Sequence, residues 1–384
     1  MTTDNSYEFD DYLDEIGTVD FERVVITGTD WTTETIIRQI EKGNIRLSPI
    51  FQRRDAWTVE RKSLFIESIL IGMPIPQLVL AEDPNEKGKY IVLDGKQRLL
   101  SILQFAATNS RDRYPPLRLK KLPILDNLNG KTYEDLQNDD YNFSTFENQW
   151  IRTVIIKNSP SEVMLSQVFY RLNTGSLPLS PQELRFALYP SPFTTYIDEC
   201  SEASSAMQYY LGNSSVDFRM RDVELMLRMF TNFEFIREYK GNLKAFLDNG
   251  FRVFSQRYDE FKEKLDNYSV QIEAAHKITL SIFGDDSYKK WSGDSFESRR
   301  NRAIFEILIY VFSDERVRNK VNSFNHNIFK DMFISLFTNS PDFVSSIERT
   351  TKSIEAVSTR FNLLIDKINE TYGTEIKNIE LQRG

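Results

Sequence analysis

The chain has 384 residues, enough for two or three domains, and its 40% hydrophobic and 13% aromatic content excludes an intrinsically disordered polymer. Its net charge of −8 is unevenly placed: Asp4, Glu8, Asp10, Asp11, Asp14, Glu15, Asp20 and Glu22 fall within residues 1–22, which hold no Lys or Arg, and the other 48 acids balance 48 Lys and Arg. The body of the chain is formally neutral, so it has no strong overall field to attract nucleic acid, although local basic patches remain.

The single cysteine, Cys200, excludes an internal disulfide framework and suits a reducing compartment. His276 and His326 are the only histidines and stand fifty positions apart, which excludes a Cys/His zinc centre or a histidine-rich nuclease centre built from this chain alone. With no signal peptide, lipidation box or apolar run of about 18 residues, the expected location is cytoplasmic, with no membrane partner.

Residues 1–30 read as a solvated acidic arm or, alternatively, as a cover over a basic groove. After it, "TTETIIRQIEKGNI" places Ile36, Ile37 and Ile40 at helical spacing, with Thr32 or Thr33 as cap and Gly43 as stop. "IRLSPIFQRRDAW" reads as a strand and loop, and "TVERKSLFIESILIG" as a helix whose buried face is Val59, Leu64, Phe65, Ile69 and Leu70. Met73-Pro74-Ile75-Pro76 ends that helix. "QLVLAED", the turn "PNEKGK" and "YIVLDG" predict a β-hairpin, followed by a helix from Gly95 to about Ala107.

Residues 111–150 read as loop-rich, with the basic cluster "RDRYPPLRLKK". "WIRTVIIKN" is a strand and "SEVMLSQVFYRLNTG" a helix. "LSPQELRFALYP" starts another helix with Ser180 as N-cap, Pro181 at the first helical position and Glu183 closing a capping box. From about residue 216 the pattern is helical, as in "VELMLRMFTNFEFI" and "RRNRAIFEILIYVF". The fold class expected is therefore α+β, with a mixed domain at 31–215 and an all-helical domain at 216–384. No fixed-period repeat or low-complexity segment interrupts it.

Three stretches can carry chemistry. In "YIVLDGKQRLLSILQF", Asp94 and Gln97 have the spacing of a capping box, so one reading is a plain helix start. That reading leaves Lys96 and Arg98 at the positive end of a helix, where a cation is unwelcome, and a flexible Gly95 where a ligand can approach the backbone. Strand, glycine turn and helix N-terminus is the general geometry of an anion site, and Arg98 adds bidentate recognition; the stretch is not a Walker A loop.

The second stretch, Phe51-Gln52-Arg53-Arg54-Asp55-Ala56-Trp57, offers arginines and aromatics to a phosphate and a base, or equally two core anchors beside a wet face. In the third, "FYRLNTGSLPLSPQELR", Arg171, Asn173, Glu183 and Arg185 gather around a turn. An ion pair between Glu183 and one of the arginines competes there with direct ligand contact. The basic stretches 111–121 and 298–302 are read as solvated faces or backbone contacts to nucleic acid.

"SPIFQRRDAW", "FIESILIGMPIPQLVL", "VLDGKQRLLSILQF" and "FYRLNTGSLPLSPQELRFAL", in this order over residues 31–200, resemble the N-terminal domain family of the GmrSD-type modification-dependent restriction enzymes. The resemblance implies a ParB/sulfiredoxin-like fold, with the motif at Asp94–Arg98 binding and hydrolysing a nucleoside triphosphate, and a place in anti-phage defence. The family motif usually reads Asp-Gly-Gln-Gln-Arg; here Lys96 replaces its third residue. Full-length relatives carry a C-terminal His-Asn-His nuclease domain, which His276 and His326 do not supply, so the expected nuclease is a separate subunit or the output is binding.

Carried onto this chain, the resemblance implies Gln52, Arg53 and Arg98 on the phosphates and Gly95 allowing close approach. Lys96 would add neutralisation, and Arg171 and Asn173 would complete the nucleotide contacts. Asp94 would hold Mg2+ or orient water, and Gln97 would position that water, so Asp94, Gln97 and Arg98 form the expected catalytic set. The partners expected are a nucleotide, DNA, and a separate nuclease or defence subunit. The alternatives are a non-catalytic DNA- or protein-binding module, and a ParB-like DNA nickase with Asp94 and Glu183 as metal ligands.

Overall fold

The computed structural model describes residues 25–47, 57–83, 86–106, 116–158, 180–212, 217 and 219–381. The chain divides into two compact units, Met1–Leu188 and Tyr189–Gly384. The boundary lies ahead of the expected 215/216, because the helices that begin at Pro192 and Ser205 belong to the second unit. The acidic arm as far as residue 24 lies outside the described residues.

The first unit is built on a five-stranded mixed sheet of β1 (Val25–Thr32), β2 (Ile45–Arg46), β3 (Leu78–Glu82), β4 (Tyr90–Asp94) and β5 (Trp150–Lys157), in the order β1-β5-β3-β4-β2. β3 and β4 form the expected antiparallel hairpin, β3 runs parallel to β5, and β2 runs parallel to β4. β1 pairs antiparallel with β5 along its whole length and is an edge strand. The central strands read as nearly continuous apolar runs because both faces of the sheet are covered. Leu78, Leu80, Val92 and Ile151 face one core; Val79, Ala81, Ile91, Leu93 and Ile156 face the other.

The larger core is closed by α1 (Thr33–Glu41), α2 (Val59–Leu70) and α3 (Lys96–Ala106). Thr32 caps α1, accepting from the Thr35 N–H, as the sequence suggests. In α2 the buried face is Phe65, Ile66, Ile69 and Leu70, whereas Val59 and Leu64 are exposed. The buried face is narrower than the expected stripe: Leu64 neighbours Phe65 in sequence but lies about 100° away around the helix. Residues 116–148 are more ordered than a loop-rich reading allows, with a 3-10 turn at Asp126–Leu128, α4 (Tyr133–Leu136) and α5 (Asp140–Asn148). Buried Glu67 holds the approach to this segment, accepting from the Ile124 and Leu125 N–H groups.

The smaller core is closed by α6 (Pro181–Leu188), which places Leu184 and Leu188 against β3, β4 and β5. The helix expected in "SEVMLSQVFYRLNTG" lies outside the described residues.

The second unit consists of α7 (Pro192–Ala203), α8 (Ser205–Leu211), α9 (Arg221–Phe235), α10 (Leu243–Gln256), α11 (Tyr258–Phe283), α12 (Arg302–Ser313), α13 (Glu315–Asn322), α14 (His326–Asn339), α15 (Pro341–Glu348) and α16 (Ile354–Tyr372). Among the described residues it is helical as expected except for one antiparallel hairpin, β6 (Lys289–Trp291) and β7 (Phe296–Arg300). That hairpin escapes periodicity because it is short and surface-lying, with only intermediate or exposed residues. Fully buried phenylalanines, among them Phe193, Phe230, Phe251, Phe305 and Phe329, fill the interior. Among the described residues, no helix is long and apolar enough to cross a membrane.

His276, on α11, is buried with Nδ1 2.8 Å from the Tyr288 hydroxyl, and its ring stacks on that of Tyr288. Burial pushes its pKa below the ordinary histidine value. The unfolded chain then binds the proton more readily than the folded one, so this contribution is present above about pH 6.5 and is lost as pH falls below it. Urea unfolding of the helical unit at pH 7.5 and pH 5.5 should show a drop in stability that is smaller in His276→Gln.

Candidate functional site

The Asp94–Arg98 stretch lies where β4 ends and α3 begins. Asp94 is the last residue of β4 and pairs in register with Val79 of β3; Gly95 turns the chain; Lys96 is the first residue of α3. Gly95 has φ +97°, in the region that favours glycine, and a Cβ there would run into Leu78 Cδ2 and lie 3.3 Å from Arg98 Nε and Nη2. The glycine is thus required by the fold as well as permissive for a ligand.

Both cations of the stretch are buried and held by carboxylates. Lys96 Nζ donates to Glu183 Oε1 at 2.7 Å, with the two side chains 7% and 5% exposed. Arg98 Nη2 donates to Asp94 Oδ2 at 2.7 Å, and its Nη1 donates to the Pro76 carbonyl at 2.7 Å. The Asp94–Arg98 pair has the i,i+4 spacing of a helical ion pair, a signal passed over in favour of the capping box, whereas the Lys96–Glu183 pair spans 87 residues and has no local signal.

The capping box suggested for Asp94 and Gln97 does not form. The Asp94 carboxylate turns to Arg98, and Gln97 Oε1 accepts from the Trp57 N–H at 3.2 Å, tying the start of the α2 segment to α3. The box at the start of α6 does form: the Ser180 N–H donates to Glu183 Oε2 at 2.6 Å, and the Glu183 N–H donates to Ser180 Oγ at 3.2 Å. Glu183 therefore caps its own helix with one oxygen and holds Lys96 with the other. Lys96 is thus a partner of Glu183 that the sequence reading did not include; Arg185 donates to Gln182 Oε1 at 3.0 Å, and Arg171, the other arginine considered, lies outside the described residues.

Of the expected site residues, Asp94, Gly95, Lys96, Gln97 and Arg98 gather at this junction. Gln52, Arg53, Arg171 and Asn173 lie outside the described residues. Asp94 Oδ1 forms no hydrogen bond with the described residues, and its side chain is 22% exposed, so one carboxylate oxygen is available to a cation. Among the described residues, no group of three or more His, Cys, Asp or Glu could hold a metal ion by itself. Sequence reasoning missed Pro76, whose carbonyl fixes the guanidinium, and the role of Ser180 and Glu183 in seating Lys96. A buried Glu in the first turn of an apolar helix is the signal that a cation must be near.

The first unit is thus a mixed-sheet α/β domain whose strand, glycine and helix junction carries two buried cations, each met by a carboxylate. Residues 33–190 match the family model described as GmrSD restriction endonuclease, N-terminal domain. The matched segment, less than half of the chain, is similar to that family. No match was found among curated proteins or solved structures.

Lys96→Met would leave Glu183 buried beside no ammonium and should destabilise the first unit by about 3–5 kcal/mol, while Lys96→Gln, which keeps a donor, should cost less. A double-mutant cycle with Glu183→Gln in urea unfolding measures the coupling. Gly95→Ala should cost about 1–3 kcal/mol from its positive φ alone, with the Leu78 overlap adding to it, read from the same unfolding transition.

Proposed function

We propose that this protein is the nucleotide-responsive component of a prokaryotic DNA-restriction or anti-phage system, binding a nucleoside triphosphate at the Asp94–Arg98 junction and hydrolysing it to regulate recognition of DNA or of a partner subunit. The observation that carries the reading is the clamp on Arg98. Its guanidinium is held by Asp94 and the Pro76 carbonyl beside a glycine that a Cβ would crowd, at the start of a helix. A planar donor group fixed there is suited to a phosphate oxygen, and the helix N-terminus adds its partial positive charge.

The local charge sets a further requirement. Asp94 and Glu183 offset Arg98 and Lys96 one for one, so a triphosphate arriving here brings negative charge that these four groups do not neutralise. Arg53 and Arg171 are the cations proposed to make up the difference, with Gln52 and Asn173 as neutral contacts. Mg2+, which needs only one or two protein carboxylates when it bridges phosphates, would take an oxygen of Asp94 and supply charge neutralisation to the phosphate oxygens. In this reading Arg98 orients the terminal phosphate, Lys96 adds positive potential from its buried seat, and Gln97 holds the attacking water through its side-chain amide. The nuclease of the system is proposed to reside on a separate subunit.

Phosphate release by the purified protein, measured with Mg2+ and each triphosphate in turn, tests this function. Arg98→Ala and Asp94→Asn should each lower the rate by about a hundredfold. Wild-type release no greater than that of Arg98→Ala, together with no heat of nucleotide binding, would overturn the assignment. Salt-sensitive DNA binding that persists without nucleotide would instead mark a non-catalytic DNA-binding module.

A further inference from the structure

A second cationic site lies within the helical unit. Arg228 of α9, Glu306 of α12 and Arg360 of α16 are 7%, 4% and 3% exposed. Arg228 Nε lies 2.8 Å from Glu306 Oε1, and Arg360 Nη2 lies 3.5 Å from Glu306 Oε2. Arg360 Nη1 also donates to the Thr351 carbonyl at 2.5 Å, which fixes that guanidinium to the segment between α15 and α16. Two guanidinium groups thus share one carboxylate, and arginine does not shed its proton to relieve the imbalance. Burial pushes the Arg360 pKa down, and the like charge of Arg228 acts in the same direction against the offsetting Glu306.

The hydrogen-bond inventory is also incomplete. Arg228 Nη1 and Arg360 Nε are buried and form no hydrogen bond, and Arg228 Nε meets Glu306 at ion-pair distance without hydrogen-bond alignment. Buried donors are normally satisfied, and those on a charged group most of all. Both arginines border a partly open cavity of about 20 Å³, together with Asn232, Tyr239 and Phe361. That volume exceeds the roughly 10–15 Å³ that one water needs, so one oxygen-sized group fits beside the arginines, and the cavity is open on one side.

We propose that this cavity is an anion site that takes a phosphate group, with Arg228 as the bidentate contact and Arg360 as the second cation. A phosphate oxyanion supplies what the cluster lacks: acceptors for the unpaired guanidinium donors and negative charge to balance the second arginine. Guanidinium and phosphate match in geometry, which a halide does not. The site lies in the helical unit and is independent of the nucleotide reading given for the first unit.

The test is calorimetric titration of the full-length protein with inorganic phosphate and, separately, with a nucleoside triphosphate, against chloride at matched ionic strength. It is run in wild type and in an Arg98→Ala background that removes the junction's guanidinium. Arg228→Lys, which keeps the charge and loses the fork, should weaken phosphate binding by roughly tenfold, the value of about one charge-assisted hydrogen bond. Glu306→Gln, which removes the competing carboxylate, should tighten it. Binding of inorganic phosphate places the free ion in the cavity; binding of the triphosphate alone, with the same dependence on Arg228, assigns the terminal phosphate of a nucleotide. The proposal is overturned if no phosphate species binds more tightly than chloride, if binding survives Arg228→Lys unchanged, or if Glu306→Gln fails to strengthen it.

Discussion

The Lys96 ammonium and the Glu183 carboxylate meet at 2.7 Å between the first turns of α3 and α6, in a setting where neither charge is stable alone. A lysine at the first position of a helix faces the partial positive charge of that helix, and burial removes the water that would otherwise screen it. Glu183 is better placed, in the first turn of α6 with the Ser180 N–H on its second oxygen. The carboxylate is stabilised by its own helix and passes that stabilisation to the neighbouring one. Since α6 is only eight residues long, it does not persist by propensity, and the ion pair acts together with the apolar seat of Leu184 and Leu188 to hold it on the sheet.

The same economy governs Asp94. A carboxylate at the end of β4 has two demands within reach, the open N–H groups of α3 and the Arg98 guanidinium one turn on, and it answers the second. Charge decides this: a hydrogen bond between two ionised groups is stronger than one to a neutral N–H, and a buried guanidinium left without an acceptor is costlier than a helix end. Arg98 then reaches back over Gly95 to Pro76, and no side chain at position 95 fits beneath it. A phosphate arriving at this junction would therefore compete with carboxylates already in place. Any nucleotide dependence would follow from that competition, because an anion that draws Arg98 or Lys96 toward itself loosens Asp94 or Glu183, and Glu183 anchors α6.

Local pattern carried much of the first unit. The β3–β4 hairpin, the apolar run of β5, the Thr32 cap and the Ser180–Glu183 box all depend on residues within a few positions of one another. What escaped depends on distance. The carboxylate that meets Lys96 lies 87 residues away, beyond the reach of any local charge spacing. Val59 and Leu64 were assigned to a core that bypasses them, because an apolar residue on a helix has no label for the side that faces inward. The hairpin β6–β7 was masked by its lysines, arginines and serines, which follow no clean alternation. The family segments were legible because they are contiguous motifs, and they coincide with the matched residues 33–190.

The two units treat buried charge differently. At the β4–α3 junction each cation is met by a carboxylate, so a ligand there must either displace or add. Around Glu306 two arginines divide one carboxylate, so the cluster is held together and left short of negative charge. Removing Glu306 in a purely structural cluster would expose two buried cations to each other and only destabilise; in an anion site it also raises the affinity for what replaces it. Three helices converge on that carboxylate, α9, α12 and α16, so its replacement bears on their packing as well as on the cavity beside it. A buried charge imbalance is costly to retain when a hydrophobic substitute of similar volume would serve packing as well. Here that imbalance stands next to an opening and with donors unspent, the two features that an anion would complete.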